Sequence, residues 1–236
     1  GPGGYRCMAI IMPRMGPTVA SEVSMRLLGA RPAAIINVGI AGSFKSGDLR
    51  IGDVIVPRQV DAYDETGKVE GAQWKRRGSD YRPSADLVAH IQELEFTARD
   101  DFSRWVEEGA GRLNTLRTGS DSEQIEKLLK SKVLRTAPAV STHHLASGSF
   151  VVASKSFAEF IREANADIHA GEMEAAGMMA AAEYRLNPPQ TLVVRGISDH
   201  VDANKSEVDA VGEGALRRLA MGNAWRLVCT LMELGR

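Results

Sequence analysis

Two short segments in the second half of the chain carry the acidic residues with the clearest chemical pattern. The first, Gly171-Glu172-Met173-Glu174, places carboxylates at the start of a small-residue helix, and the second, Ser198-Asp199, follows an apolar strand. Acids at the ends of two consecutive elements suit chemistry at a glycosidic carbon. One carboxylate can hold the sugar while the other transfers a proton to the leaving group.

The glutamates of the first segment have the chemistry to bind a sugar. In a strand, Glu172 and Glu174 would point to the same side. An ionised carboxylate only accepts hydrogen bonds, and its two oxygens can accept both vicinal hydroxyls of a ribose. The alternative is that these charges only stabilise a helix amino terminus. The strand-to-helix context favours the sugar-binding interpretation.

The aspartate of the second segment is a candidate proton donor. A purine leaves slowly as an anion, and a positioned acid that protonates the leaving group typically accelerates such a step by about 10²–10⁴-fold. A dry pocket would keep Asp199 protonated by raising its pKa. The alternatives are that Asp199 only caps a turn after the strand, or that Asp202, three residues further on, is the acid.

A glycine-containing segment near the amino terminus is the third feature. The run 35–42 ends in Gly39-Ile40-Ala41-Gly42, and Gly52-Asp53-Val54-Ile55-Val56 follows ten residues later. Glycines after a buried strand allow a tight turn and a close approach of backbone to a ligand. The pattern predicts a turn over 39–43 and makes Ala41 and Gly42 candidate substrate contacts.

Taken together, these three segments resemble the nucleoside phosphorylase and nucleosidase superfamily, and within it the methylthioadenosine/S-adenosylhomocysteine nucleosidases. The resemblance implies hydrolysis of the N-glycosidic bond of a purine, specifically adenine, nucleoside or nucleotide. It assigns the ribose 2′,3′-diol to Glu174 and the apolar sugar face to Met173. It makes Asp199 the general acid and Ser198 the residue that orients it, and it implies no metal or redox cofactor.

The same resemblance suggests where the base would bind. Ala146-Ser147-Gly148 is similar to a turn that precedes the adenine pocket of the family. Val151 stands where the family has a stacking aromatic residue, and Phe150, one place earlier, could take that role. Val152 would supply backbone hydrogen bonds to adenine. The alternative is a plain β-turn followed by a core strand.

Two positions separate hydrolysis from phosphorolysis. Hexameric phosphorolytic relatives have an arginine where Asn37 stands and a serine where Ile40 stands, and both help to hold phosphate. An arginine fork suits phosphate, and a neutral amide is a poor substitute. Asn37 and Ile40 therefore favour water as the attacking group, although Arg14 could compensate as a phosphate contact. A phosphate-dependent phosphorylase remains an alternative.

The basic run Lys75-Arg76-Arg77 has two interpretations. Most such runs are solvated loop charges. Some superfamily members act as toxic effectors in bacterial antiphage defence and cleave adenine nucleotides, including ATP, and in that case basic residues would contact the 5′-phosphates. The candidates for such contacts are Arg14, Lys45, Lys75, Arg76, Arg77 and Lys205.

The start of the chain supports an alternative from a different functional class. The family's first strand and its water-activating glutamate precede the point where this sequence begins, so we expect both to be lacking here. Glu22 lies mid-helix and does not replace that glutamate. The chain could then be a non-catalytic nucleotide-sensing domain of a larger defence or signalling protein, fused to or regulated by an upstream domain.

The elements that must position these residues alternate between strands and helices. Apolar patterns predict strands over 6–12, 33–38, 54–56, 60–63, 142–146, 150–153, 168–173 and 191–197. Helices are predicted over 16–28, 84–96, 102–116, 122–129, 174–184 and 213–234, with capping boxes at Ser120/Glu123 and Ser156/Glu159 and a loop over 64–78. This order predicts an α/β fold, a three-layer α/β/α sandwich with a mixed, mostly parallel sheet.

Length and composition set the remaining expectations. The 236 residues fit one domain over 5–236, with Gly1 to Gly4 as an expression scar or a native turn. A net charge of −1 and no long apolar run argue against nucleic-acid and membrane binding. Cys7 and Cys229 form no redox motif, and His143-His144 fits a loop or strand pair better than a metal site, so the sequence predicts a cytoplasmic protein without metal. Family resemblance adds a homo-oligomer.

Overall fold

The computed structural model describes residues 6–44, 47–65, 67–70, 73–76, 78–201, 208 and 211–235, with only the backbone for 67–70, 73–76 and 213. Gly1 to Gly4 lie outside this part of the chain. Its helices are α1 Pro17–Leu28, α2 Ala85–Thr97, α3 Arg99–Arg117, α4 Ser122–Lys130, α5 Lys155–Ala164, α6 Ala175–Glu183 and α7 Ala215–Glu233. Its strands are β1 Ala34–Ser43, β2 Val54–Ile55, β3 Val60–Ala62, β4 Gly67–Glu70, β5 Gln73–Arg76, β6 Ser79–Tyr81, β7 Val140–Ser141, β8 His144–Ser147, β9 Ile168–Glu172 and β10 Gln190–His200.

Eight of these strands form one mixed sheet in the order β6-β3-β8-β9-β1-β10-β2-β7. The pairs β1–β10, β2–β7, β3–β8 and β8–β9 are parallel. The pairs β1–β9, β10–β2 and β3–β6 are antiparallel. The predicted mixed, mostly parallel sheet is confirmed, and β1 and β10, which carry two of the three motifs, lie side by side near its centre.

Each face of the sheet is covered by helices, which confirms the predicted α/β/α layers. On one face, Ala175, Ala176 and Met178 of α6 pack with apolar residues of the central strands, and Leu27 of α1 joins them. On the other face, residues of α2, α3 and α7 pack against Val54, Val56, Leu192 and Val194. Strands that are buried on both sides read as continuous apolar runs, which is why their positions were predictable.

The predicted helices are confirmed to within a few residues, but both predicted capping boxes are wrong. The amino-terminal cap of α4 is Asp121, and no side chain caps it. The cap of α5 is Ser154, whose hydroxyl accepts from the backbone N–H of Phe157. Ser156 lies inside that helix. The spacing alone could not choose between neighbouring serines, because the cap is the residue whose backbone leaves the helical region.

Three predictions about extended segments are wrong. Residues 6–12 pair with none of the described strands, and Met8 and Ile11 are exposed. A strand needs a neighbour for its backbone N–H and C=O groups, and an apolar run does not show that one is available. The predicted turn over 39–43 is the last part of β1, which stays paired with β10 across an irregularity between Ala41 and Gly42.

The third segment, 150–153, has no strand pairing. The hydroxyl of Tyr63 contacts both backbone polar groups of Phe150, and these contacts replace the bonds of a sheet ladder. The predicted loop over 64–78 is also wrong, because it contains the hairpin β4–β5. Its polar composition concealed the strand period. None of the described helices is long and apolar enough to cross a bilayer.

Candidate active site

Glu172 occupies the junction between β9 and α6. Its buried carboxylate accepts hydrogen bonds from the backbone N–H of Glu174 at 2.9 Å and of Ala175 at 3.0 Å, so it caps the helix that begins there. The guanidinium of Arg195 pairs with the same carboxylate. Since both oxygens are engaged, the structure favours a positioning role for Glu172. Direct contact with substrate, which the sequence suggested, stays a prediction.

Arg195 was not identified as a site residue from the sequence. It lies within β10 with only 2% of its side chain exposed, and its guanidinium packs against Gly39 of the neighbouring strand, where a Cβ atom would collide with it. A charge buried this deeply requires a partner. An arginine within an otherwise apolar strand therefore signals a buried ion pair, and that signal was available in the sequence.

Glu174 stands beside this pair, at the position predicted for the ribose diol. Its carboxylate accepts a hydrogen bond from the backbone N–H of Gly16 at 3.3 Å and lies 3.7 Å from Arg195. Burial raises the pKa of Glu174, Arg195 opposes that shift, and the charge of Glu172 adds to it. Met173 is half-buried next to it. A carboxylate held in this way can accept hydrogen bonds from the hydroxyl groups of a ligand without changing its position.

The raised pKa of Glu174 gives a prediction for stability. The folded protein holds this proton above the ordinary pKa of 4.5, so the favourable contribution is present below 4.5 and is lost as pH rises through the folded pKa. Glu174→Gln removes this titration. The free energy of unfolding of the wild type, minus that of the variant, should fall as pH rises, and denaturation at several pH values would measure it. A difference that does not change with pH would contradict a raised pKa for Glu174.

The second half of the site lies at the carboxyl ends of β1 and β10. The Ser198 hydroxyl donates to Asp199 Oδ2 at 2.7 Å, and the carbonyl oxygen of Ala41 lies 3.4 Å from the same hydroxyl. A Cβ atom on Gly42 would be 2.9 Å from Asp199 Oδ1. The structure thus brings together four residues that the sequence analysis predicted for the site. As expected, the glycine lets the backbone come close to another group, here the Asp199 carboxylate.

Strand pairing joins the two halves. Gly42 pairs with Gly171, one residue before Glu172, and also with Asp199. The segments that carry Glu174 and Asp199 therefore lie on either side of Gly42, where β9 overlaps the carboxyl end of β1. This arrangement brings the residue predicted to bind the sugar and the residue predicted to donate a proton into the same region.

A loop beside Glu172 carries the candidate base-binding residues. The N–H of Gly148 donates to the carbonyl of Glu172 at 3.2 Å. The Tyr63 hydroxyl donates to the carbonyl of Phe150 at 3.2 Å, and the N–H of Ser149 donates to Asp64 Oδ2 at 2.6 Å. Tyr63 and Asp64 therefore hold this loop. Sequence reasoning missed both, because they lie about 85 residues away along the chain.

The side chains of the loop differ in exposure. Phe150 is 61% exposed and Val151 is 65% exposed, whereas Val152 packs against the cluster that contains Tyr63. An exposed aromatic residue on a tethered loop can stack on a base, as predicted for Phe150. Contact of Val151 and Val152 with a base also stays a prediction.

The tether at Asp64 has a measurable consequence. Asp64→Ala removes the acceptor for Ser149 and frees the loop, which we expect to raise KM about 3–10-fold, the equivalent of one hydrogen bond. Asp64→Asn keeps an acceptor oxygen and should change KM less. Steady-state kinetics on the preferred substrate would measure both, and equal effects from the two variants would contradict a role for this hydrogen bond.

Of the residues predicted to contact phosphate, the structure describes the side chain of Arg14 only. Arg14 is exposed and precedes Gly16, whose N–H binds Glu174. The side chains of Lys75 and Arg76 and all of Lys45, Arg77 and Lys205 lie outside the described residues. Ile40 lines a surface groove with Arg218 and Trp225 of α7. Contact of these basic residues with phosphate stays a prediction.

Comparisons with known proteins agree on the family. A family profile described as the phosphorylase superfamily matches residues 3–231. A death domain-containing ATP nucleosidase of Amphimedon queenslandica is 25% identical over 197 residues, which cover 82% of this chain and 33% of that protein. ATP nucleosidase Cap17 of Escherichia coli strain KTE188 is 25% identical, over 81% of this chain and 36% of its own. The chain thus spans about a third of the length of these relatives.

Solved structures share the fold. A methylthioadenosine/S-adenosylhomocysteine nucleosidase from Neisseria meningitidis superimposes with a TM-score of 0.60 and 18% identity, over 93% of this chain and 78% of its own. An S-adenosylhomocysteine nucleosidase from Streptococcus pyogenes gives a TM-score of 0.59 and 22% identity, over 93% and 76%. Futalosine hydrolase of Helicobacter pylori gives 0.59 and 18%, over 92% and 76%.

Proposed function

Since the chain belongs to the phosphorylase superfamily, we propose that it hydrolyses the N-glycosidic bond of an adenine nucleoside or nucleotide and releases free adenine. The observation that carries this proposal is the placement of Asp199. Its carboxyl group is oriented by Ser198 and packed against Gly42, in the same region as Glu174. A proton donor and a sugar-binding carboxylate are two of the groups that such a cleavage uses.

The reaction can be followed through its bonds. Asp199 donates a proton to N7 of the base, and the electron pair of the C1′–N9 bond leaves with the base. The sugar passes through an oxocarbenium-like transition state while Glu174 holds its 2′- and 3′-hydroxyls. A water molecule then forms a bond to C1′ and loses a proton to solvent, and Asp199 regains a proton from solvent. The products are free adenine and the corresponding ribose derivative.

The proposed substrate is an adenine nucleotide, with ATP as the first candidate. Two relatives are named ATP nucleosidases, and they match over four fifths of this chain. Arg14 and the run Lys75-Arg76-Arg77 provide positive charges in the part of the sequence proposed to contact 5′-phosphates. Asn37 favours water over inorganic phosphate as the attacking group, because its neutral amide is a poor phosphate ligand.

The setting of the domain forms part of the proposal. We place residues 5–236 in one nucleosidase module of a longer protein, because the chain spans about a third of its relatives. We also propose a role in antiphage defence, in which fusion to a further domain would supply the regulation. Cys7 and Cys229 are free thiols, which fits the reducing cytoplasm. We also propose a homo-oligomer, because most soluble oligomers are symmetric assemblies of identical chains.

A phosphate-free incubation tests this function. ATP, AMP, adenosine and methylthioadenosine are each incubated with the protein, and free adenine is resolved by chromatography. We expect adenine from ATP without added phosphate. Turnover only when phosphate is present would identify a phosphorylase, and the product would then be the 1-phosphate of the ribose derivative that carries the 5′ group of the substrate. If no substrate releases adenine with or without phosphate, the result would favour a non-catalytic nucleotide-sensing domain.

A further inference from the structure

A cluster of histidines lies at the opposite end of β8 and β9 from the proposed active site. His143 directly precedes β8, while Asp167 precedes and His169 belongs to β9. We propose that His143, Asp167 and His169 form a binding site for a divalent transition-metal ion, with Zn²⁺ as the first candidate. Two imidazoles and a carboxylate are a ligand set that zinc accepts, with a fourth position left for water.

The geometry of the three side chains supports this proposal. One ligand atom from each residue lies within 4.8 Å of the corresponding atoms of the other two. His143 Nδ1 is 2.8 Å from Asp167 Oδ1, and the rings of His143 and His169 stack with centroids 3.6 Å apart. Zinc–nitrogen and zinc–oxygen bonds are about 2.0–2.2 Å long, so tetrahedral ligand atoms lie about 3.5 Å apart. Binding would lengthen the 2.8 Å contact and turn the stacked imidazoles so that one nitrogen of each faces the ion.

Neighbouring residues orient the carboxylate. Asp167 uses its second oxygen, Oδ2, to accept a hydrogen bond from Arg58 at 3.0 Å, and His144 Nε2 lies 3.3 Å from it. Oδ1 remains directed at His143. Residues that fix a ligand from outside the first coordination sphere commonly raise metal affinity. Asp167 is therefore held with one oxygen facing the two candidate histidines.

The charges around the cluster favour a cation despite the arginine. Arg58 brings one positive charge to Asp167. Asp48 Oδ2 lies 3.9 Å from His169 Nδ1, and Asp61 Oδ2 lies 3.8 Å from His144 Nδ1. Three carboxylates thus face the imidazoles and one guanidinium. The surplus of negative charge offsets the electrostatic cost of bringing in a divalent ion.

The site is reachable from solvent and separate from the proposed chemistry. The side chains of His143 and Asp167 are partly exposed, whereas His169 is buried. Asp167 and Glu172 are five positions apart along the chain, about 17 Å at about 3.3 Å per position, and His169 is three positions from Glu172, about 10 Å. A bound ion would cross-link the β7–β8 connection to the start of β9. Its expected effect is therefore on stability.

This inference departs from the sequence-based expectation of no metal site. His143-His144 alone fits a strand or loop pair, and the other ligands lie more than 20 residues further on. Only the parallel pairing of β8 with β9 brings them beside His143. Zinc-ligand spacing in a sequence detects sites on a local hairpin or helix, and it misses sites built across a sheet.

The test uses tag-free protein that has been treated with a chelator and then exchanged into chelator-free buffer. Calorimetric titration with Zn²⁺ should show one site per chain and a raised melting temperature. The Co²⁺ form should show the strong visible absorption of a tetrahedral complex. His143→Gln should weaken Zn²⁺ binding at least tenfold. His90→Gln, which removes a histidine of α2, should bind like the wild type.

A second variant guards against misfolding. Asp167→Asn keeps the size of the side chain, and it should weaken binding with unchanged circular dichroism. The proposal is overturned if the wild type binds no Zn²⁺ below about 100 μM, or if His143→Gln and Asp167→Asn bind as tightly as the wild type. Base release does not enter these readouts, so failure of the metal site and failure of the proposed nucleosidase activity are distinguishable.

Discussion

Replacing Asp199 with asparagine will lower the rate of adenine release by about 10²–10⁴-fold, the usual contribution of a positioned general acid. The amide keeps the shape of the carboxyl group and an oxygen that can accept from the Ser198 hydroxyl, now 2.7 Å from Asp199 Oδ2. It cannot give a proton to the leaving base. The loss should therefore appear in kcat, with KM nearly unchanged, in chromatographic assays without phosphate.

A matched control separates this effect from a general loss of charge. Asp86 lies exposed in the first turn of α2, on the helix layer that packs against the other face of the sheet. Asp86→Asn should leave kcat within about twofold of the wild type, because surface substitutions have small effects. A kcat for Asp199→Asn within threefold of the wild type would show that another group protonates the base. Asp202 would then be the next residue to replace.

Replacing Arg195 with methionine will lower the free energy of unfolding by about 3–5 kcal/mol. The substitution leaves the buried carboxylate of Glu172 without its counter-ion and removes the positive charge 3.7 Å from Glu174. Two neighbouring carboxylates would then share a desolvated site. Denaturant unfolding at neutral pH measures the change. We expect the loss to shrink on acidification, because protonated glutamates need no counter-ion.

Two further variants test the cause of this destabilisation. Arg26→Met removes an exposed ion pair with Glu22 on α1 and should cost less than about 1 kcal/mol. Adding Glu172→Gln to Arg195→Met removes the stranded charge but keeps an acceptor for the start of α6, so the double variant should be more stable than Arg195→Met alone. A double variant that is less stable would contradict the ion-pair explanation.

The sequence contained enough information for the layers of the fold and for much of the candidate site. β1 and β10 are apolar runs that pack against other residues on both faces of the sheet, and α7 repeats its leucines at helical spacing, so the hydrophobic pattern predicted all three elements. The motifs around Glu174 and Asp199 both lie where a strand ends, which the sequence predicted. Their proximity depends on the short antiparallel overlap of β9 with the carboxyl end of β1, and the sequence did not show that pairing.

The rest of the site depends on contacts that no local pattern encodes. The pairing of Arg195 with Glu172, the tether from Tyr63 to Phe150 and the approach of Gly16 to Glu174 each join distant parts of the chain. The predictions for extended segments were wrong for a related reason. Residues 6–12 or 150–153 can form a strand only if a neighbouring strand pairs with their backbone N–H and C=O groups. The side-chain pattern does not show whether such a strand is present.

The attachment of the loop 149–152, the candidate base-binding loop, has an evolutionary consequence. The ionic centre at Glu172 and Arg195 closes around Gly39, so changes there affect helix start, strand packing and buried charge at once. The 149–152 loop, in contrast, is tied down chiefly through Tyr63 and Asp64, and its outermost side chains face solvent. Selection can therefore exchange those side chains at little cost in stability. We expect substitutions in this loop to change the base preference, while Glu172, Arg195 and Gly39 keep their residue types.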